Sequence, residues 1–151
     1  MTGRLVRHAP HTLRRARVGV RPAQHHPLAE RPEIEIADAA AYALRLPDRA
    51  ANPVIHDQLS ALFRDIRPHP RFRTPAVSFD ISQRDLRDGV ALAPAGEAAA
   101  TVQPAGLTWR PLRGAPGLTF HLVLPREQSP LHRRVRAVAE TLAHELHWLP
   151  G

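Results

Sequence analysis

The sequence predicts an α/β fold, because stretches with the period of a β-strand alternate with stretches that begin and repeat like amphipathic helices. The clearest strand pattern lies between Leu118 and Leu124, where apolar and polar side chains alternate. A capping side chain followed by proline marks two helix starts, at Asn52 and at Ser129. Sixteen prolines and eight glycines interrupt the chain every few residues, which argues against a plain helix bundle.

The composition fits one folded domain. A chain of 151 residues can bury a core, and an apolar share of 43% argues against wholesale disorder. The absence of cysteine excludes a disulfide framework and thiolate chemistry. No apolar run approaches the ~20 residues of a membrane span, and the N-terminus has no apolar signal core. We therefore expect a cytoplasmic protein without membrane contact.

The formal charge of +7 is concentrated at the N-terminus. Residues 1–31 hold seven arginines against Glu30, whereas the rest of the chain has 14 arginines and 13 acidic residues. All 21 basic residues are arginine, which we interpret as genome composition more than selection for phosphate binding. A small nucleic-acid-binding protein that uses residues 1–31 remains an alternative.

The elements of the first half are predicted in the following order. Residues 1–16 have no clean period and are expected to form a loose tail. Residues 18–20 form a short strand, and prolines on either side of Glu30 make a turn. Alternating residues 34–38 predict a half-buried strand, and the apolar run 41–46 predicts a buried one.

A helix then begins at Asn52, with Pro53 at its first position. Its apolar side chains fall on one face at helical spacing and reach about as far as residue 66. They are Ile55, Leu59, Leu62, Phe63 and Ile66.

In the second half, Val77 and Phe79 alternate with polar residues and predict another strand. In residues 82–88 only Leu86 can pack, so we expect a degraded helix or a turn. An apolar strand is predicted at residues 89–94, and a loop or short helix end at residues 98–106.

Two further strands and a helix complete the chain. The strands are predicted at residues 107–112 and 118–124, and the helix begins with Ser129 as cap and Pro130. A narrow apolar stripe runs along this helix, formed by Leu131, Val135, Val138, Leu142 and Leu146.

The order of these segments resembles the C-terminal effector-binding domain of LysR-type transcriptional regulators. In that family a crossover strand leads to a His-Pro-Leu-Ala turn, a polar strand, an apolar strand with a proline-containing loop, and a helix that ends in Leu-Phe-Arg. The matching segments here are residues 18–21, 26–29, 34–38, 42–47 and 58–64. Gly89 to Pro94 also matches the family's Val-Ala-Leu-x-Pro strand, whereas residues 82–88 depart from its apolar helix. The resemblance covers about residues 17–146.

The resemblance implies a periplasmic-binding-protein-like (type 2) effector domain, with two lobes and a ligand cleft between them. This chain would comprise the crossover strands and second lobe in residues 17–112, and a remnant of the first lobe in residues 113–147. Residues 1–16 would be a basic tail, and residues 148–151 a second tail. The chain would be N-terminally truncated, without the family's helix-turn-helix. Strand 118–124 would then lack its sheet partners, so the C-terminal segment would pack irregularly or on a partner.

The resemblance also points to candidate effector contacts, because the family places the loop after this apolar strand at the mouth of the cleft. The residues concerned are Leu46, Pro47, Asp48 and Arg49. The planar fork of Arg49 suits a carboxylate ligand. The more ordinary interpretation is that Asp48 and Arg49 are surface turn residues.

No pattern predicts catalysis, a metal site or a cofactor. His144 and His147 are three residues apart, whereas metalloprotease helices space their histidines four apart. There is no Gly-x-Ser-x-Gly nucleophile turn. We therefore expect no enzyme, and a region that senses a small-molecule effector and forms possible homo-oligomers. It would contact DNA only through a missing N-terminal domain. A stand-alone small-molecule-binding domain is the remaining alternative.

Overall fold

The computed structural model describes residues 8–73 and 79–149, with only the backbone for residues 79–82. The strands are β1 (His8–Ala16), β2 (Val18–Arg21), β3 (Ala43–Arg45), β4 (Phe72–Arg73), β5 (Ala91–Gly96), β6 (Arg110–Pro111) and β7 (Leu118–Pro125). The helices are α1 (Ile36–Ala40), α2 (Pro53–Ala61), α3 (Phe79–Arg87) and α4 (Pro130–Glu145), and short 3₁₀ helices span Pro27–Glu30 and Glu97–Ala100. The chain divides into a central unit, Arg17–Leu118, and a terminal unit, Met1–Ala16 with Thr119–Gly151.

The central unit is built on a mixed sheet with the strand order β4-β3-β5-β2-β6. β3 is parallel to β4 and β5, and Leu44 lies opposite Leu92. β2 is antiparallel to both β5 and β6, and Val20 lies opposite Pro94. Helices connect the parallel strands, as parallel pairing requires. The α/β class and the strand predicted at residues 18–20 are confirmed. The strand predicted at residues 41–46 is present as Ala43–Arg45, and the one predicted at residues 89–94 begins later, at Ala91, and ends at Gly96.

Helix α2 confirms the sequence signals at its start and on its apolar face. Asn52 Oδ1 accepts a hydrogen bond from the Ile55 N–H at 3.3 Å. Leu59 and Phe63 are buried, although the regular helix ends at Ala61 and the chain continues in turns. The core that they join includes Val18, Val20, Leu28, Ile34, Leu44, Leu46, Leu92 and Leu112.

The prediction of a strand at residues 34–38 is wrong. Ile34 makes only a single parallel bridge to Leu112, and the chain then turns into helix α1 at Ile36. Five alternating residues are too few to distinguish the two-residue period of a strand from the 3.6-residue period of a helix. The alanine-rich sequence that follows also has high helix propensity. The helical conformation also buries Ala39 and Ala40 in the core.

The interpretation of residues 77–88 is corrected by helix α3. Phe79 begins a nine-residue helix, so neither a strand at that position nor a turn at residues 82–88 is present, and Val77 lies outside the described residues. Leu86 is the buried anchor that the sequence indicated, and it packs with Ala43, Ala91 and Leu107. Gln83 is buried on this helix as well, although the helix also carries the charged residues Arg84, Asp85 and Arg87.

The terminal unit contains the largest departure from the predicted elements. Residues 8–16, predicted as loose tail, form β1, which pairs with β7 in a two-stranded sheet. Thr12 Oγ1 and His121 Nδ1 form a hydrogen bond of 3.2 Å between these strands. The strand predicted at 118–124 is present and has a sheet partner, contrary to expectation. Pairing with a segment more than 100 residues away leaves no local signal in the sequence.

Helix α4 begins as predicted but leaves its apolar stripe uncovered. Ser129 Oγ accepts from the His132 N–H, while His132 Nδ1 accepts from the Ser129 N–H, both at 3.3 Å. The five stripe side chains are 43–67% exposed, and Ala143 is buried instead. Of the helices described, none has both the length and the apolar character that a membrane span needs.

His26 fixes the turn between β2 and α1. Its buried ring accepts a hydrogen bond at Nδ1 from the Leu28 N–H at 3.1 Å and meets the Tyr42 ring edge-on, with the centroids 4.5 Å apart. Burial lowers the pKa of His26, and the neighbouring His25 lowers it further. The imidazole is therefore neutral in the folded chain at neutral pH.

We expect the central unit to lose stability as the pH falls below about 6.5. The folded pKa of His26 is lower than the unfolded one, so the unfolded chain binds more protons and stability drops as pH approaches the folded pKa. Urea unfolding at pH 7.5 and pH 5.5 measures this loss. Asn keeps a capping acceptor without the titration, so H26N should show a smaller loss. An equal loss in H26N would assign the effect to other groups.

Candidate functional site

The predicted effector loop is anchored to helix α2. Leu46 is buried in the core, and the His56 Nδ1–H donates to the Pro47 carbonyl at 2.8 Å. Asp48 Oδ1 accepts from the Ala50 N–H at 3.0 Å, which makes a local turn of the kind aspartate favours. The loop therefore has a defined conformation.

Arg49 holds a carboxylate of its own chain. Its Nε donates to Asp57 Oδ1 at 2.8 Å, and its Nη2 donates to Oδ2 at 3.1 Å. These hydrogen bonds raise the pKa of Arg49 and lower the pKa of Asp57. Both side chains are more than half exposed, so the pair is accessible to solutes and contributes little to stability. The geometry shows that Arg49 can grip a planar carboxylate bidentately.

The position of this loop agrees with a general property of α/β sheets. It follows the carboxyl end of β3, which runs parallel to β5, and ligands of open α/β sheets bind outside the carboxyl ends of strands. Whether residues 46–49 contact an effector stays a prediction.

No sequence pattern marks Arg45, one residue before the loop, as a candidate site residue. It is only 8% exposed, and its Nη1 has no hydrogen-bond partner in the structure. Burial lowers the pKa of Arg45, while the charge of Asp85 acts in the opposite direction. Asp85 itself accepts from Arg73 Nη1 at 2.8 Å. A buried arginine at a strand end has no signature in a single sequence.

A second candidate site is an open cavity of about 510 Å³ on the central unit. Its volume is in the range of small-molecule sites. The cavity lies between the start of β2, the turn after Leu28 and strand β6, so it contains none of the loop residues 46–49. It is lined by Arg17, Glu30, Arg31, Pro32, Trp109, Arg110 and Pro111.

Trp109 forms the base of this cavity. Its side chain is nearly buried, and its indole N–H donates to the Ala95 carbonyl at 3.1 Å. The ring packs directly on the backbone of β2, because a Cβ added to Gly19 would lie 2.6 Å from the ring and 2.2 Å from the Arg110 carbonyl oxygen. The Arg17 guanidinium stands 5.7 Å from the ring centroid, at cation–π distance.

The three cavity arginines differ in how they are held. Arg17 pairs with Glu97, Nε to Oε2 at 3.2 Å, and Arg31 pairs with Asp38. Arg110 is held by neutral acceptors: its Nε donates to the Ala29 carbonyl at 2.9 Å, and its Nη1 donates to the side chain of residue 108 and the carbonyl of residue 109. Across residues 8–73 and 79–149, Arg110 has no carboxylate partner.

No sequence pattern indicates this cavity, because its residues come from three separate segments. The strand at residues 107–112 was predicted, but its period alone does not show that Trp109 and Arg110 meet the turn at residues 29–32. In the part of the chain that the structure describes, no cluster of three histidine, aspartate or glutamate side chains is arranged to hold a metal ion.

Comparisons with solved structures identify the fold. The effector-binding domain of BenM with its effector benzoate superposes with a TM-score of 0.80 at 13% identity, over 100% of this chain and 69% of that chain. The effector-binding domain of QuiR in complex with shikimate gives 0.70 at 15% identity, over 99% and 71%. Full-length CbnR, a LysR family regulator in complex with its target DNA, gives 0.75 at 13% identity, over 95% and 50%.

These likenesses confirm the predicted fold, that of LysR-type effector-binding domains, which is periplasmic-binding-protein-like and of type 2. No protein-family model and no curated protein sequence matches the chain. The chain spans about 70% of the length of the effector-domain structures and half of the full-length regulator.

We expect G19A to destabilise the central unit by at least about 2 kcal/mol. The added methyl group would overlap both the Arg110 carbonyl oxygen and the Trp109 ring, so the backbone and the ring would have to shift. Urea unfolding measures the loss. G96A is the matched control in the same sheet, since its Cβ would approach nothing closer than 3.4 Å and should cost much less. Equal losses in G19A and G96A would contradict the packing described for Trp109.

Proposed function

We propose that this chain is the effector-sensing region of a LysR-type transcriptional regulator. In such a regulator the domain binds a small molecule and couples that binding to a DNA-bound assembly. The observation that carries the proposal is a likeness to these domains over the whole of the chain, at a TM-score of 0.80 for BenM. This role involves no catalysis and acts in the cytoplasm, where transcription is regulated.

We infer that the effector is a small carboxylate and that it contacts the loop Leu46, Pro47, Asp48 and Arg49. BenM and QuiR are bound to benzoate and shikimate, which are both carboxylates. The loop lies at the carboxyl end of a parallel strand, and Arg49 already holds the Asp57 carboxylate in bidentate geometry. An effector carboxylate would take the place of Asp57.

We propose that specific DNA binding resides in a part of the regulator outside these 151 residues. The full-length regulator bound to its target DNA is twice as long as the matched region. Three arginines of the basic N-terminal stretch have partners within the chain, which lowers their availability to phosphates. Arg14 lies over the Trp148 ring, while Arg17 and Arg31 pair with carboxylates. The alternative of a small nucleic-acid-binding protein therefore has less support.

We infer that the α4 stripe contacts a second copy of this chain. The spacing of its apolar residues, in steps of four, three and four from Leu131 to Leu142, is that of a coiled-coil seam, which is self-complementary. The stripe is exposed, and the two-stranded sheet beside it is too small to be stable by itself. Pairing of two α4 helices would bury both stripes.

Replacing Asp57 tests the effector loop. D57N frees Arg49 from its intrachain partner, so we expect benzoate to bind at least about threefold more tightly, as judged by isothermal titration calorimetry. D65N, at another exposed carboxylate that forms no ion pair among the described residues, should leave the affinity unchanged. If D57N and the unaltered chain bind benzoate equally, or if neither binds any small carboxylate, the effector assignment is wrong.

Sedimentation equilibrium tests the self-association of α4. We expect V138E to shift the chain towards monomer by at least about tenfold in dissociation constant, because it places a charge in the apolar seam. T141E adds the same charge to the same helix outside the stripe and should associate as the unaltered chain does. A monomeric unaltered chain, or equal effects of both substitutions, would exclude this interface.

A further inference from the structure

We propose that the cavity between β2, the turn at Glu30 and β6 binds a small organic molecule with a single carboxylate, and that Arg110 is the residue that holds it. The cavity is separate from the loop at residues 46–49, because none of those residues lines it. The proposal therefore adds a second ligand site to the central unit and does not depend on the effector loop.

Arg110 is prepared to receive a carboxylate. Three hydrogen bonds from its Nε and Nη1 to neutral acceptors fix the guanidinium plane. Its Nη2 has no acceptor among the described residues, so the N–H groups of this nitrogen remain for a ligand in the cavity that Arg110 lines. A guanidinium held in advance loses little conformational entropy when it forms charge-assisted hydrogen bonds to a carboxylate.

The other cavity residues restrict the charge of the ligand. Arg17 and Arg31 line the cavity but are already paired with Glu97 and Asp38, and Glu30 adds a negative charge at the rim. Two of the three guanidinium groups are thus already paired, which leaves Arg110 as the cavity arginine without a carboxylate partner among the described residues. One carboxylate completes the pairing of Arg110, whereas a strongly negative ligand such as a polyphosphate or a nucleic acid brings more negative charge than this lining can match.

The walls favour an apolar body of modest size. Pro32, Trp109 and Pro111 contribute apolar surface beside the guanidinium, and about 510 Å³ accommodates a single small ring compound. An apolar wall with a few charged groups beside it is typical of small-molecule sites.

Trp109 provides a reporter that distinguishes this cavity from the loop. The chain has two tryptophans, so W148F leaves Trp109 as the only indole. In that background we expect benzoate to change the Trp109 fluorescence saturably, and benzyl alcohol, which lacks the charge, to produce no such change. Replacing Arg110 by glutamine should weaken the benzoate response at least about tenfold. R64Q, which removes an exposed charge elsewhere on the central unit, should leave it unchanged.

A second variant keeps the test decisive if R110Q does not fold. Glu30 is exposed and its carboxylate repels an anionic ligand, so E30Q should tighten benzoate binding at least about twofold. The proposal is overturned if benzoate leaves Trp109 fluorescence unchanged, if folded R110Q binds as R64Q does, or if E30Q has no effect. The Trp109 fluorescence separates the cavity from the effector loop, because D57N acts at the loop and should leave the benzoate response of Trp109 unchanged.

Discussion

The central unit depends on the close approach of β2 and the return strand β6. Val18 and Val20 point into the core, while Gly19 faces the other side of the sheet and leaves room for the Trp109 ring. The absence of a side chain at Gly19 lets the ring and the Arg110 carbonyl reach the strand. The indole N–H then bonds to β5 through Ala95, so that one side chain links the three neighbouring strands β5, β2 and β6. The same ring lines the cavity.

The charged residues have a different role from the core. The ion pairs of Arg49, Arg73 and Arg113 are between exposed side chains, so they orient loops and helices more than they stabilise the fold. Stability comes from the apolar cluster around Ile34, Leu44 and Phe63, in which each side chain is almost fully buried. Arg49 and Arg110 differ in their partners, since Arg49 holds the Asp57 carboxylate and Arg110 donates to neutral acceptors.

The terminal unit has the features of an incomplete layer. Its sheet has two strands, and its helix α4 exposes the stripe that would normally be packed against a sheet. Its two ends in the sequence are joined by the β1–β7 pairing, by Arg14 over the Trp148 ring and by the Arg15 N–H to the Trp148 carbonyl at 3.0 Å. An amphipathic helix with an uncovered stripe gains most from association, which is the physical basis for assigning α4 to an interface.

The sequence by itself determined the α/β class, the starts of α2 and α4, the buried strand β3 and the anchor Leu86. These features depend on interactions within a few residues, as when Asn52 caps the first turn of α2 or Ser129 and His132 cap each other. The family resemblance drawn from the order of segments was sufficient to predict the fold. It also named the loop at residues 46–49, and the structure adds that Arg49 there is held by Asp57.

Only the tertiary structure decided the remaining features. Strand β1 forms because β7, far along the chain, supplies its hydrogen-bond partners, and α1 replaces a strand because Ala39 and Ala40 fit the core as a helix. The cavity requires Arg17, Glu30 and Arg110 to converge from three segments. Contacts between residues distant in sequence decide which strands pair and which helix faces are buried. The local period of apolar residues does not contain this information.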